Sequence, residues 1–267
     1  MLFSLIISEG VSQNISFETG ARSFGVGNAN LLMKDTYALI NNIARISSHK
    51  DQSAFLAYDN RFGIGQFQTL SAAYIHPFDF GNFGISFSRF GNDLFNQQSF
   101  GLGFADKIGV VELGLKLNYL QTNIIDFGTS NALVAELGAS AEILPILALG
   151  LRVFNLNQAN LISNEQIFQN VPTIVGIGLD YKPSSKIDLF IQLDQDLDNN
   201  TNFKAGIEFS LIKEVVLRSG INTEPIQNFF GVGFKEKSFS LDYALASSQD
   251  LGLSHNASLS YTFKKAE

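Results

Sequence analysis

The sequence predicts an all-β protein: a 14-stranded antiparallel transmembrane β-barrel with an N-terminal hatch segment in the lumen. Three observations predict this fold: strand-length segments in which apolar and polar residues alternate, connections that alternate between short and long, and a composition poor in charge. Charged residues make up 16% of the 267 residues and apolar residues 45%, whereas an ordinary soluble domain has roughly 25% charged residues. Part of the surface is therefore expected to face lipid.

The composition also excludes several classes of function. The chain has no cysteine, so disulfides, thiolate metal sites and a cysteine nucleophile are excluded. Its net charge is −7, and its longest basic cluster is Lys264 with Lys265. Nucleic acid is not expected as a partner, because phosphate binding needs concentrated positive charge. No apolar run reaches the ~20 residues of a membrane helix, so strands must cross any membrane.

Residues 1–12 are predicted to be the remnant of a secretory signal peptide. Residues 1–7 are mostly apolar and residues 8–13 are more polar, although the usual basic n-region is missing. A true start codon further upstream would explain the missing part, with cleavage near residues 10–12. The alternative is a disordered apolar terminus, and N-terminal sequencing of purified protein that began at Met1 would contradict the signal-peptide interpretation.

From residue 53 to residue 263 the chain divides into segments of strand length. Within 111–119 every odd position is apolar and every even position is polar or Gly, which predicts a strand with two different faces. The same alternation recurs over 131–143, 202–211 and 252–263. The predicted strands are 53–60, 66–77, 83–90, 97–105, 109–120, 131–143, 147–155, 173–182, 187–194, 202–211, 214–222, 227–235, 238–246 and 252–263.

The connections favour a barrel over a soluble β-sandwich, whose strands also alternate. Short connections are predicted at 78–82, 106–108, 144–146, 183–186, 212–213 and 236–237. Longer ones are predicted at 91–96, 121–130, 156–172, 195–201, 223–226 and 247–251. This alternation is expected of a barrel with periplasmic turns at one end and extracellular loops at the other, and an even strand count places both termini in the periplasm. Because lipid offers no hydrogen bonds to a free edge, the first and last strands are expected to pair, leaving 264–267 as a tail.

Residues 13–52 do not alternate and are predicted to form a plug, or hatch, inside the barrel of residues 53–263. Their glycines at 20, 25 and 27 fit no phosphate-binding fingerprint. This region resembles the hatch of the FadL-related PorV/PorQ family, whose pattern runs roughly G-A-R, then G-x-A, then N-P-A. The residues that carry the resemblance are Gly20, Ala21, Arg22, Gly25, Gly27, Asn28, Asn42 and Ala44.

The C-terminal region extends the resemblance, because residues 241–244, 251–256 and 258–263 are similar to the closing hairpin of that family. The family barrel has fourteen strands. Two positions depart from its pattern: Ile43 stands where the family has Pro, and Asn28 where it usually has Gly or another small residue. The hatch turn is therefore expected to differ in shape, and the short chain implies trimmed extracellular loops.

No catalytic residue, metal site or cofactor is predicted. His49, His76 and His255 each lack a second ligand at metal spacing, and no Ser-His-Asp arrangement is defensible from the sequence. Charged residues on the polar faces are expected to line the lumen, where they form either ion-paired walls or a conduction path. The predicted lumen-lining residues are Glu112, Lys116, Glu136, Glu142, Arg152, Lys204 and Glu208.

Two functions in the bacterial cell outer membrane follow from the resemblance. The first is a non-catalytic, protein-binding component of an outer-membrane assembly linked to type IX protein secretion, with outer-membrane lipid and membrane proteins or secreted cargo as partners. The alternative is FadL-like transport of hydrophobic small molecules, and a structural subunit is a third possibility. A transporter is expected to gather inward apolar residues such as Phe154 and Phe190 near the hatch.

Overall fold

The computed structural model describes residues 18–163, 166–197, 200–248 and 251–263. The predicted signal-peptide remnant, residues 13–17 of the predicted hatch and the predicted tail lie outside these ranges. The strands of the described chain are β1 Gln52–Asn60, β2 Gln68–Phe78, β3 Gly81–Gly91, β4 Phe95–Ile108, β5 Val111–Ile124, β6 Gly128–Leu144, β7 Leu147–Phe154, β8 Asn160–Ser163, β9 Gln166–Asn170, β10 Ile174–Ser184, β11 Ile187–Asp196, β12 Thr201–Ser210, β13 Val215–Thr223, β14 Ile226–Glu236, β15 Phe239–Ser248 and β16 Gly252–Phe263.

Strands β1–β7 and β10–β16 form a closed antiparallel barrel, which confirms the predicted fourteen strands. Each pairs with the next along the chain, β7 pairs with β10, and β1 closes the ring on β16 from Gln52↔Phe263 to Asn60↔His255. Closure is what lipid requires, because an unpaired backbone edge has no partner there. Strands β8 and β9 form an additional hairpin within the predicted 156–172 loop, and the backbone of β8 pairs with β6 at one position, Asn131↔Ile162.

The two faces of each strand follow the alternation in the sequence. In β5, Leu113 and Leu115 point outward and are 43% and 60% exposed, whereas Glu112, just before them in the sequence, and Lys116, just after them, point inward and are buried. Large exposed apolar side chains recur in the same way on the other barrel strands. The outer wall is therefore apolar, as a lipid-facing surface must be.

The two ends of the barrel differ in their connections. The short-turn end holds 79–80, 109–110, 145–146, 185–186, 211–214 and 237–238. The long-loop end holds 61–67, 92–94, 125–127, 155–173, 197–200, 224–225 and 249–251. The predicted alternation is wrong around β13, because 211–214 is longer than 224–225. The reason is that pairing of β13 with β14 continues to Thr223↔Ile226, so that few residues remain for a loop.

The barrel wall is taller on one side. Strands β4, β5 and β6 contain 14, 14 and 17 residues, whereas β13 contains 9. At about 3.3 Å per residue, this difference extends the wall well past its neighbours at the long-loop end. The β8–β9 hairpin packs against this taller wall through β6.

Residues 18–51, called the lumenal segment below, precede β1. They contain two short helices, α1 Ala21–Gly25 and α2 Ala38–Asn41, and the 3₁₀ helix Ile43–Ser48; a second 3₁₀ helix, Arg61–Gly63, follows β1. Among the described residues, no helix is long and apolar enough to cross a membrane. The predicted division into 1–12, 13–52, 53–263 and 264–267 stays a prediction.

Candidate functional site: the lumen and the segment within it

The lumenal segment lies against inward-facing glycines of the barrel. These glycines pair across neighbouring strands as Gly84↔Gly103, Gly114↔Gly138, Gly150↔Gly178 and Gly206↔Gly220. Each pair meets a different part of the segment: Leu39 and Ile43, then Ile43 and Ala44, then Leu31 and Leu32, then Val26 and Gly27. The missing side chains make room for the segment within the ring of strands.

The backbone of the segment also lies close to the pair Gly114 and Gly138. A Cβ atom on either glycine would lie 2.8 Å from the backbone nitrogen of Ala44. Real Cβ atoms do not come so close to backbone, so even alanine at these positions would displace the segment. The segment is therefore held by the shape of the wall as well as by its side chains.

The N-terminal part of the predicted hatch motif is explained by backbone geometry. Gly20 and Gly27 have φ of 95° and 70°, and Asn28 has φ of 59°, in the left-handed region that Gly and Asn tolerate best. Gly20 also packs on the ring of Tyr37, which leaves no space for a Cβ atom. The backbone N–H of Ala21 donates to Oγ of Ser258 at 2.9 Å.

The C-terminal part of the motif depends on Asn42. Its Oδ1 accepts from the backbone N–H of Ala44 at 3.2 Å, which caps the following 3₁₀ helix. Its Nδ2 donates to the carbonyl oxygen of Leu31 at 2.8 Å and so ties the two halves of the segment together. Ile43, which replaces the proline of the PorV/PorQ pattern, is fully buried against Gly103 and its neighbours.

Arg22 enters an ionic cluster on the wall. Its guanidinium binds both carboxylate oxygens of Glu208 at 2.9 Å and Oδ2 of Asp35 at 3.1 Å. Arg218 binds the same Glu208 and also Asp242, each at 2.7 Å. Burial raises the pKa of the Asp35 carboxyl, although the charge of Arg22 opposes this. This set, called the Arg22 cluster below, joins the segment to β12, β13 and β15.

Arg45 makes a second and more deeply buried attachment. Its Nη1 donates to Oε2 of Glu112 and, at 3.1 Å, to Oγ of Ser140. Arg45 and Glu112 are each 1% exposed, so their charges have lost nearly all contact with water. The ammonium of Lys107 lies 3.8 Å from the other oxygen of Glu112.

The remaining predicted lumen-lining residues also carry paired charges. Arg152 binds Glu136 at 3.0 Å, Lys34 of the segment binds Glu142, and Lys204 binds Asp194 and Glu18 at 2.6 Å. Lys116 is buried beside this group. The structure thus shows ion-paired walls, and a conducting role for these residues stays a prediction.

Several charged residues of the lumen were not predicted. Arg218 and Asp242 occupy inward positions of β13 and β15, where the period-two pattern would have found them. Arg45 and Asp35 lie in the lumenal segment, which has no such pattern, so no periodicity in the sequence predicts their partners.

An apolar cluster, called the mouth cluster below, occupies the lumen at the long-loop end. Its members come from inward positions of β5, β6 and β7 and from the 155–173 connection, which folds over them. They are Leu120, Ala132, Val134, Phe154, Leu161 and Val171. Phe190 packs with Val26, Ala29 and Met33 of the lumenal segment, where a transporter was expected to gather such residues, whereas Phe154 belongs to the mouth cluster. Their strands, β7 and β11, are separated by β10.

Below the mouth cluster, a small cavity of about 20 Å³ touches Leu120 and Phe154 as well as the Arg152–Glu136 pair. Ser86 lines this cavity and also lines an apolar groove of about 620 Å³ formed by strands β1–β4 and β16. Ala54 and Ala72 are among the outer-face residues that line this groove. The cavity and the groove thus lie on opposite sides of the same strand, β3, at Ser86.

The histidines of the strands bind tyrosines. Nδ1 of His76 lies 3.1 Å from the hydroxyl of Tyr74, and Nδ1 of His255 lies 2.8 Å from that of Tyr243. In the part of the chain that the structure describes, no three acidic, histidine or cysteine side chains are grouped to hold a metal ion.

No family model and no curated protein matches the chain. Among solved structures, it is similar to the Pseudomonas putida toluene transporter TodX, with a TM-score of 0.68 and 12% identity over 92% of this chain and 98% of that one. It is also similar to the deltaS2 mutant of the TodX monoaromatic hydrocarbon channel, with a TM-score of 0.70 and 12% identity over 93% and 99% of the two chains. A FadL homologue of Pseudomonas aeruginosa is similar too, with a TM-score of 0.63 and 13% identity over 92% of this chain and 98% of that one.

These likenesses show the fold, that of a FadL-type outer-membrane barrel. They contradict the expectation of a type IX secretion component, because the similar structures are hydrocarbon channels and a FadL homologue. That expectation rested on short Gly and Asn motifs, and no family model supports PorV/PorQ membership. The protein partners expected from that function stay a prediction.

Proposed function

We propose that the chain lies in the bacterial outer membrane and passes small hydrophobic molecules across it, without catalysis. The fold shared with TodX, a toluene transporter, supports this role. The observation in this chain that carries the proposal is the mouth cluster. A barrel for hydrophilic solutes has a polar lumen, whereas here an entire region of the inner surface is apolar and buried.

The mouth cluster supplies the binding energy for a hydrophobic molecule. Leu120, Val134 and Phe154 point into the lumen beneath Leu161 and Val171. A toluene-sized molecule that inserts between the 155–173 connection and the barrel wall replaces water with apolar contacts. Its binding is favoured by about 25 cal/mol for each Å² of apolar surface removed from water. Aromatic and aliphatic hydrocarbons are thus the substrate class that the cluster fits.

We place the route onward at Ser86, where the cavity and the groove lie on opposite sides of β3. The cavity beneath the mouth cluster has the volume of about one water molecule, so a hydrocarbon passes only when its lining moves. Beyond Ser86 lies the apolar groove on the outer face, rimmed by Phe87 and Phe100. Strand β3 pairs with β2 and β4 without a register shift, so the wall is closed in this state.

Uptake by intact cells tests the proposal. The chain is produced in a Gram-negative host that lacks its own hydrocarbon channel, and the initial rate of labelled toluene uptake is compared with that of the empty vector. We expect faster uptake, and a reduction by Val134→Thr, which adds a hydroxyl to the mouth cluster without changing the shape of the side chain. Val232→Thr, on the outer wall of β14, is the matched control and should leave uptake unchanged.

Uptake no faster than the empty vector would contradict the proposal, provided that the folded barrel is present in the outer-membrane fraction. Folding is read from the heat-dependent shift of the band on a gel. The route is tested by Ser86→Phe, which fills the cavity and should slow uptake more than Ser210→Phe, at an inward position of β12.

The long-loop end is proposed to face the outside of the cell, since the mouth cluster must meet incoming solute. Protease added to intact cells should then cleave the chain within 155–173 and leave the 145–146 turn uncut. Cleavage at 145–146 alone would reverse the orientation.

A further inference from the structure

A second cavity, of about 200 Å³, lies at the long-loop end on other strands than the mouth cluster. Its wall includes Asp59 of β1, Thr69 of β2 and Asn256 of β16. The strand register places Asp59 directly opposite both of the others. The three side chains therefore form one row across three neighbouring strands, at spacings of roughly 5 Å.

Each residue of this row has an oxygen without a hydrogen-bond partner in the described structure: Oδ1 of Asp59, Oγ1 of Thr69 and Oδ1 of Asn256. Thr69 and Asn256 are only 7% and 5% exposed. Leaving a buried polar atom unpaired costs about 1–3 kcal/mol, so a ligand that supplies the missing partners is favoured. The other carboxylate oxygen of Asp59, Oδ2, accepts from Nε of Arg61 at 3.3 Å.

The atoms of the row specify the chemistry of the ligand. Two of the oxygens only accept hydrogen bonds and the third, a hydroxyl, can accept, so the ligand must donate. The carboxylate of Asp59 favours a positive charge, and Arg61, which also lines the cavity, occupies only its Oδ2 and leaves Oδ1 for the ligand. The rings of Phe24 and Phe62 line the same cavity, and aromatic rings attract cations and pack against short alkyl chains.

A metal ion fits this cavity poorly. Calcium takes six to eight oxygen ligands, with several carboxylates among them, whereas the row offers one carboxylate and two neutral oxygens. The other carboxylate that lines the cavity, Glu18, is bound by Lys204 at 2.6 Å. A primary ammonium group carries three N–H donors, which matches the three oxygens in number.

We propose that this cavity, the Asp59 site, binds the primary ammonium group of a small organic amine. At about 30 Å³ for a group the size of water, its volume holds about six non-hydrogen atoms, such as a short alkylamine. The site is separate from the mouth cluster, because the cluster lies on β5, β6, β7 and the 155–173 connection and is apolar, whereas the Asp59 site lies on β1, β2 and β16 and is polar.

Calorimetry on the purified full chain in detergent tests the site with n-butylammonium chloride as the probe. The uncharged n-butanol serves as the comparison, at constant ionic strength. We expect saturable binding of the ammonium only. Asp59→Asn should weaken it about tenfold or more, since a charge-assisted hydrogen bond is lost. Thr69→Val, of the same shape, should weaken it about threefold through the loss of a neutral one.

Asp188→Asn at the short-turn end and Thr129→Val in the exposed part of β6 are matched controls that should bind like the unmodified chain. Equal binding of butanol, no saturable binding, or unchanged affinity in both Asp59→Asn and Thr69→Val would overturn the proposal. If Asp59→Asn does not fold, the affinity of Thr69→Val for n-butylammonium tests the proposal by itself. Val134→Thr should slow toluene uptake and leave ammonium binding intact, so failure of either proposal is seen separately.

Discussion

The two halves of the lumenal segment are held in the barrel by different forces. Residues 37–48 lie in the largest apolar cluster of the described chain, where Leu39, Ile43 and Ile46 pack with inward residues of β1, β2 and β4. Residues 20–36 make smaller apolar clusters and are attached by the Arg22 cluster. The first half is thus held by charge and the second mainly by burial.

The difference shows that ion pairs in the two halves do not have the same importance. In the Arg22 cluster two arginines share Glu208, so the loss of one leaves the carboxylate paired. In the second half, Glu112 has one charged hydrogen-bond partner in the described structure, Arg45, and the hydroxyl of Ser140 donates to the same carboxylate oxygen. Equal substitutions in the two halves should therefore have unequal effects.

The largest effect is expected from Arg45→Met. The substitution keeps much of the apolar stem and leaves the buried Glu112 carboxylate with Lys107 at 3.8 Å. Removing one partner of a buried pair costs about 3–5 kcal/mol. Urea unfolding of the barrel in lipid vesicles should show this loss. The double variant Arg45→Met with Glu112→Gln should recover part of the lost stability, because no unpaired charge remains. If it recovers none, the loss comes from the packing of the Arg45 side chain and not from the charge of Glu112.

Gly138→Ala should have the next largest effect, because its new Cβ atom meets the backbone of residue 44. Overpacking of this kind costs about 1–3 kcal/mol. Gly65→Ala is the control, since its Cβ atom would have only the Gln68 side chain nearby, at 3.7 Å. The same unfolding measurement applies, and equal stability of the two variants would contradict close packing of the segment.

Arg22→Met tests the other half and should cost less than Arg45→Met, about 1–2 kcal/mol, because Glu208 stays paired with Arg218 and the Asp35 carboxyl, whose pKa burial already raises, can take up a proton when Arg22 is lost. The two arginine variants are compared under identical conditions. If Arg22→Met lowers the free energy of unfolding as much as Arg45→Met does, the two halves are not held by different forces.

The smallest effect is expected from Asp35→Asn, and it depends on pH. Burial raises the pKa of Asp35 above its ordinary 3.8, so the folded state holds the proton more tightly than the unfolded state. Stability from this group therefore falls as pH rises through the interval between the two pKa values. At pH 7 the variant should be at least as stable as the unmodified chain, and at pH 3 the two should agree. A variant less stable at pH 7 would show that the bond to Arg22 outweighs burial.

The barrel was predictable from the sequence because each strand has two faces in different environments. Glu112 and Leu113 are adjacent in sequence, yet one lies in the lumen and the other on the outer wall. The contacts of the lumenal segment were not predictable, since Arg45 and Glu112 are 67 residues apart and no periodicity connects them. The β8–β9 hairpin was missed because it lies outside the barrel ring.

The erroneous function has a physical explanation. Gly20, Gly27 and Asn28 occupy left-handed backbone positions, and Asn42 caps a helix. Any segment folded tightly within a barrel needs such residues, whatever molecule the barrel serves. The motif therefore indicates a filled lumen and contains little information about the partner.

The pairing of β1 with β16 also constrains how the molecule forms. Arg22 meets a residue 186 positions away, and Ala21 meets Ser258, 237 positions away. Such contacts give a high contact order, which slows folding because long chain loops must close before the contacts form. The segment is made before every strand of the barrel, and its partners on β12 to β16 are made after the other strands. The last hairpin of the barrel thus completes both the ring of strands and the environment of the segment that precedes it.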